Sequence, residues 1–188
     1  MLVPTETLGE LIGSSARMRE VYRLSVGVAP TSSTVLILGE SGTGKELFAR
    51  AVHAAGPNGA GKFLPVNCGM RPVGLLESQL FGSQTAGGNE RPGIFRNAGQ
   101  GTVFLNEVAQ LPLGTQAELL RAVEYQEIMP VGGSAAVRVS VRIIASTTRD
   151  LIREVAAGRF EEDLFYRLDG VKIRIPPLRE RLDGGPEL

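Results

Sequence analysis

An α/β fold with a mostly parallel sheet is what this sequence predicts, and three observations predict it. Short apolar runs rich in β-branched residues recur along the 188-residue chain, at 34–38, 63–66, 102–105, 141–145 and 171–175. Runs of this kind are strands covered on both faces. Stretches with helical spacing lie between them, and strands alternating with helices build a parallel sheet. A glycine loop, Gly39 to Gly44, joins the first run to a helix.

Taken in order, Met1 to Glu10 carries little pattern and reads as a lead-in. Met18, Val21, Tyr22 and Ser25 share one helical face, so Ser15 to Val28 reads as a helix capped by Ser14 or Ser15. It is broken by Ala29-Pro30-Thr31-Ser32-Ser33. The strand Thr34 to Leu38 follows, then the glycine loop, then a helix from Lys45 to Ala55 with Leu47, Phe48, Ala51 and Val52 on one face. Leu75 to Phe81 is helical in spacing. Residues 83–101, with five Gly and one Pro and no periodicity, read as a long surface excursion. Gln116 to Glu124 is an amphipathic helix, and Ile128 to Val131 with Val137 to Val139 flank Gly132-Gly133 as a hairpin. Leu151 to Ala157 is a helix ended by Gly158, and the last strand stops at Pro176-Pro177. The organisation expected is a lead-in at 1–10, one α/β core at 11–182, and the start of a lid linker at 183–188.

Composition excludes several classes. A chain of this size buries roughly 70% of the surface it exposes when unfolded, enough for a core without staples. Cys68 is the only cysteine, so no internal disulfide forms, and no signal-peptide pattern precedes it. The cytoplasm is the expected compartment. No apolar run reaches the 18 or more residues of a membrane span, and no membrane partner is expected. Twenty basic residues balance 20 acidic ones, giving no bulk attraction to nucleic acid. Only three of the basic residues are lysines, and one of them, Lys45, closes the glycine loop.

That loop is the most specific chemical signal in the chain. Gly39-Glu40-Ser41-Gly42-Thr43-Gly44-Lys45 fits G-x-x-x-x-G-K after a buried strand and before a helix, the context this phosphate-binding motif requires. Its glycines let successive N–H groups converge on an anion at a helix N-terminus, and Lys45 reaches the β- and γ-phosphates. The following position, usually a Ser or Thr that helps hold Mg²⁺, is Glu46. A second element has the layout of a Walker B strand: Thr102-Val103-Phe104-Leu105 ends in Asn106-Glu107. There an Asp normally holds the Mg²⁺ shell and the next acid orients the attacking water. Asn106 is neutral, so Mg²⁺ binding by Asn106 and Glu107 is expected to be weak, while Glu107 keeps the water-polarising role. A merely polar strand end is the competing reading. His53 lacks a second ligand at metal spacing, and packing is its expected role. Arg179 and Arg181 read as solvated charges at a domain edge.

The ordered series GESGTGKE (39–46), FLPVNC (63–68), TVFLNEV (102–108), VRIIASTTRDL (141–151) and FEEDLFYRLDGVKIRIPPLRER (160–181) resembles the AAA+ ATPase domain of bacterial enhancer-binding transcription activators, the sigma-54-interacting family. The likeness runs from about residue 8 to 182. It implies a three-layer α/β/α sandwich around a mostly parallel five-stranded sheet, without the helical lid. It implies ATP or ADP with Mg²⁺ as cofactors, self-assembly into a ring (usually a hexamer), and an RNA polymerase sigma factor as partner. DNA would be bound by a helix-turn-helix module outside this chain. Glu46 is then the family's usual residue. Ile12 and Gly13 would lie near the adenine, Asn67 would hydrogen-bond the catalytic acid Glu107, and Arg167 would reach a neighbouring subunit's site.

Four departures accompany the resemblance. The GAFTGA loop that contacts sigma-54 is missing; after Phe81-Gly82 the chain reads SQTAGGNERPGI (83–94). Asn106 replaces the metal-shell Asp, Thr148 the sensor Asn, and Glu161 the first trans-acting Arg. Retained nucleotide binding with weak or lost hydrolysis, and action outside the usual sigma-54 route, are therefore expected. The alternative is a working ring ATPase that remodels the sigma-54 polymerase; a small-molecule kinase is disfavoured, because no second substrate signature is present.

Overall fold

The computed structural model describes residues 15–69, 72–85 and 87–181. The expected lead-in at 1–10, the lid linker at 183–188, and Ile12 with Gly13 lie outside these described residues. Five strands, β1 (Val35–Leu38), β2 (Phe63–Asn67), β5 (Thr102–Asn106), β8 (Arg142–Thr147) and β9 (Val171–Arg174), form one sheet in the order β2-β5-β8-β1-β9. All of its pairings are parallel. Alternate residues of one strand serve opposite faces, as the two-residue period demands. In β1, Val35 and Ile37 pack with α1 (Ala16–Val28) and α2 (Lys45–Ala54). Leu36 instead joins the core beneath α3 (Val73–Phe81), α5 (Leu113–Glu124) and α7 (Glu162–Leu168). Helices on both faces of a parallel sheet are the three-layer sandwich expected.

Local chemistry explains most boundaries. Ser15 caps α1, its hydroxyl accepting from Met18 N at 3.3 Å. At the other end of α1, Arg142 of β8 is buried and donates to Ala29 O at 2.9 Å and Val28 O at 3.0 Å. A cation there meets the carbonyl-rich end of the helix dipole, and burial lowers its pKa. His53 is buried in α2, its Nδ1 2.8 Å from Thr102 Oγ1. Its role is packing, as the sequence suggested.

Three readings are corrected. Residues 83–101 are not a plain surface excursion. A hairpin of β3 (Gly82–Gln84) and β4 (Glu90–Pro92) opens the segment, and a single helical turn, α4 (Ile94–Asn97), follows. Phe95 of that turn is fully buried and stacks on Phe81, ring centroids 5.8 Å apart. One aromatic in four residues carries no periodicity, which is why sequence pattern passed over it. Phe95→Ala is expected to cost about 3–5 kcal/mol, read as a fall in the urea midpoint. An unchanged midpoint would mean that the turn is not docked. Second, residues 162–168 form the helix α7, whose buried face is only Leu164, Phe165 and Leu168, too short a stripe for spacing to mark. Third, the 127–139 hairpin is shorter than expected: β6 (Glu127–Ile128) pairs with β7 (Val137–Arg138), while Val131 bridges to Ser83 of β3.

Candidate functional site

The carboxyl ends of β1, β5 and β8 converge on one edge of the sheet, where ligands of open α/β folds bind. A cleft of about 790 Å³ opens there, lined in part by Gly39, Glu40, Thr147, Thr148, Ile175 and Pro177. The glycine loop spans the end of β1. Gly42 and Gly44 have φ of +80° and +86°, left-handed conformations that a side chain resists. Gly39 has a different reason to be glycine: a Cβ would stand 2.8 Å from Thr43 Oγ1 and 3.2 Å from Ile175 O.

Lys45 opens α2 and folds back under the loop. Its Nζ donates to Gly39 O at 2.9 Å and Glu40 O at 3.1 Å, with the side chain 8% exposed. Thr43 Oγ1 also donates to Glu40 O, at 2.8 Å. The carbonyls of Gly39 and Glu40 are thus engaged by donors from within the motif. Ser41 is exposed at the tip. Glu46 faces solvent in the first turn of α2 and takes two hydrogen bonds from Arg50, at 2.7 and 3.2 Å. Glu40 is gripped by both Arg179 nitrogens, at 2.8 and 2.6 Å, and that hydrogen bonding keeps its carboxyl below the ordinary value.

Glu107 is one of two residues other than glycine, among those described, with positive φ (58°). Such strain costs about 1–3 kcal/mol and concentrates at functional sites. Its carboxylate stands 3.4 Å from Lys45 Nζ and accepts from Thr148 N at 3.1 Å and Thr148 Oγ1 at 3.0 Å. Asn67, expected beside Glu107, ends β2 in an Asx turn, its Oδ1 accepting from Gly69 N at 3.0 Å. Asn106 Oδ1 accepts from Ser146 Oγ at 2.8 Å, tying the Walker B strand end to β8.

Arg167 sits in the last turn of α7 and pairs with Glu124 of α5 at 2.5 Å. The pair is exposed, and such pairs contribute about 0–1 kcal/mol, so little holds Arg167 back from another carboxylate or phosphate. Glu161 precedes α7, its N–H donating to Gln116 Oε1 at 2.8 Å. Cys68 is buried, its thiol pushed up to about 12 by desolvation and then by the nearby Glu107 charge. Burial and this direction of shift both disfavour its thiolate.

Two residues have roles that no sequence pattern marks. Thr148, a departure from the family's sensor Asn, is the partner of Glu107. Arg181, expected in solvent, is 9% exposed and donates to Thr43 O at 2.8 Å and Pro176 O at 2.9 Å. The segment after Pro177 folds back as a 3-10 turn, Leu178–Glu180, against the glycine loop.

A buried strand, a glycine loop with two left-handed glycines, a buried lysine and a second strand ending in an acid define a P-loop NTPase fold. Residues 11–174 match the family described as the Sigma-54 interaction domain. The chain belongs to that family, the AAA+ domain of enhancer-binding regulators. It is 48% identical to the Nif-specific regulatory protein of Azotobacter vinelandii over 182 residues, 95% of this chain and 35% of that protein. It also matches crystal structures of NtrX from Brucella abortus at 40% identity, in complex with ADP (TM-score 0.86, 92% of this chain, 38% of that one) and with ATP (0.85, 92% and 40%). The P-loop NTPase domain of an Escherichia coli sigma-54 activator shares the fold at 22% identity, with a TM-score of 0.62 over 89% of this chain and 99% of that one. The chain spans 30–41% of the length of the curated relatives it matches. None of the described helices is long and apolar enough to cross a membrane.

Proposed function

We propose that the chain is the nucleotide-binding domain of a bacterial transcriptional regulator, one that takes ATP or ADP on its glycine loop and self-associates, with weak or lost hydrolysis. The observation that carries this is the cradle itself: Gly42 and Gly44 left-handed, and Lys45 buried with Nζ on the carbonyls of Gly39 and Glu40. A glycine loop of this conformation, closed by a lysine at a helix N-terminus, suits a phosphate group. NtrX, similar over the same region, is known in complex with both nucleotides.

Mg²⁺ fits as an ion delivered with the phosphates. Among the described residues no cluster of three His, Cys, Asp or Glu could hold a metal, and Mg²⁺ commonly needs only one or two protein ligands besides phosphate oxygens. Glu107 and Asn106 would be those ligands. Asn106 is the weaker, being neutral and already accepting from Ser146. When bound, the ion would neutralise charge on the transferring phosphoryl group.

The impairment of hydrolysis rests on Asn106, Thr148 and Glu161. An amide in the metal shell and a carboxylate at the place of a trans-acting arginine both disfavour a transition state that gathers negative charge. The missing GAFTGA loop supports action other than the usual remodelling of sigma-54 polymerase, with another sigma factor or as a repressor. One observation favours the working ring ATPase instead: Glu107 is held in place by Thr148 and Lys45. Calorimetric titration with ADP and a steady-state ATP turnover assay over a range of protein concentrations decide between them. Micromolar ADP binding with turnover below about 0.01 s⁻¹ is expected, against the 1–10³ s⁻¹ ordinary for enzymes. Turnover within that ordinary range, rising with concentration, would establish the ring ATPase.

A further inference from the structure

Arg181 is a buried cation whose hydrogen bonds go to backbone. Among the described residues no carboxylate pairs with it; its Nη2 and Nε are spent on Thr43 O and Pro176 O. Pro176 belongs to the segment that leaves β9, and Thr43 is the penultimate residue of the glycine loop, 138 positions before Arg181. A planar guanidinium bridging both holds them at a fixed separation, which the single point charge of a lysine does not.

The peptide geometry makes this contact specific. Thr43 C=O and Gly44 N–H belong to one planar unit, and in a trans peptide they point in opposite directions; the described chain has no cis peptide. Pinning Thr43 O toward Arg181 therefore turns Gly44 N–H to the opposite side of that peptide, away from Arg181. Gly44, left-handed and without a Cβ, has no rotational preference of its own to hold that orientation. Lys45 pins the carbonyls of Gly39 and Glu40 in the same way at the other end. The exposed Arg179–Glu40 pair lies alongside, its side chains 64% and 56% exposed, where ion pairs contribute little.

We infer that Arg181 is a positioning residue for the phosphate loop: by holding the Thr43–Gly44 peptide it preorients the Gly44 N–H for an anionic phosphate, and it couples loop occupancy to the 176–181 segment. The inference rests on the nucleotide reading above and adds to it a residue outside the glycine motif.

The test compares wild type, Arg181→Lys and Arg179→Ala in ADP titration, and in amide hydrogen exchange of residues 41–46 without ligand. Arg181→Lys keeps the charge but loses the planar fork; its unfolding midpoint, measured in parallel, shows that it folds. Expected are ADP affinity about tenfold weaker, the scale of one lost hydrogen bond to a charged group, and faster exchange at 41–46. Arg179→Ala is expected to change both by less than twofold. A folded Arg181→Lys with wild-type affinity and wild-type exchange overturns the inference. So does an Arg179→Ala variant that loses as much as Arg181→Lys, since the surface pair would then hold the loop. If wild type does not bind ADP, the nucleotide reading fails, and the exchange of the unliganded loop still decides whether Arg181 orders it.

Discussion

Lys45→Ala is expected to weaken ADP binding at least about 100-fold while the protein stays folded. In the structure Nζ spans Gly39 O, Glu40 O and, at 3.4 Å, the Glu107 carboxylate. Removing it withdraws the cation that a bound polyphosphate would meet, and frees two carbonyls to rotate inward, where they would face phosphate oxygens. It also leaves the Glu107 charge without its counter-ion beside the loop, adding repulsion. A hydrogen bond to a charged group contributes about 1.5–3 kcal/mol, and 1.36 kcal/mol is a factor of ten, so two such contacts account for the two decades. Calorimetry with ADP on a variant shown to be folded by circular dichroism is the check. Affinity within threefold of wild type would place the nucleotide elsewhere.

Asn106→Asp combined with Glu161→Arg is expected to raise ATP turnover about 10³-fold over the parent, and only at concentrations where copies associate. The first change returns an anionic oxygen to the strand end without disturbing its neighbour, because an Asp oxygen accepts from Ser146 Oγ as Asn106 does at 2.8 Å. The second replaces a carboxylate by a guanidinium at the position where the family places a trans-acting arginine. Such an arginine is worth about 10³–10⁵ in rate. A cost accompanies the gain: Glu161 stands at the start of α7, where a negative charge suits the helix dipole, and its reversal should lower stability by about 0.3–1 kcal/mol. A turnover assay across protein concentration, with a melting curve on each variant, reads both. A parent as fast as the double variant would show that neither substitution impairs the site.

Much of the fold was legible because the sheet is buried on both faces. Strands such as Val35–Leu38 and Arg142–Thr147 need apolar residues at consecutive positions, and consecutive positions are what a sequence displays. Helices with a clean stripe, Ala16–Val28 and Lys45–Ala54, were legible for the same reason. Short elements were not: α4 is one turn held by Phe95 against Phe81, and α7 draws its stability from a neighbour rather than from its own pattern. The glycine loop was read residue by residue, since its function depends on backbone conformations that only glycine adopts readily and on a lysine at fixed spacing.

The sequence by itself determined the α/β class, the phosphate loop, the Walker B strand and the family. The loop and the Walker B strand are local constraints, each written within about ten residues, and the class and family follow from the order in which such short runs recur along the chain. Tertiary structure alone decided that Thr148 holds Glu107, that Arg181 is buried against the loop, that Arg142 closes α1, and that the strands stand in the order β2-β5-β8-β1-β9. The side-chain contacts among these join residues 41 to 138 positions apart. A polar side chain can find its partner at such separations only after the sheet has brought the strand ends together, and no periodicity along the chain records which donor will arrive first.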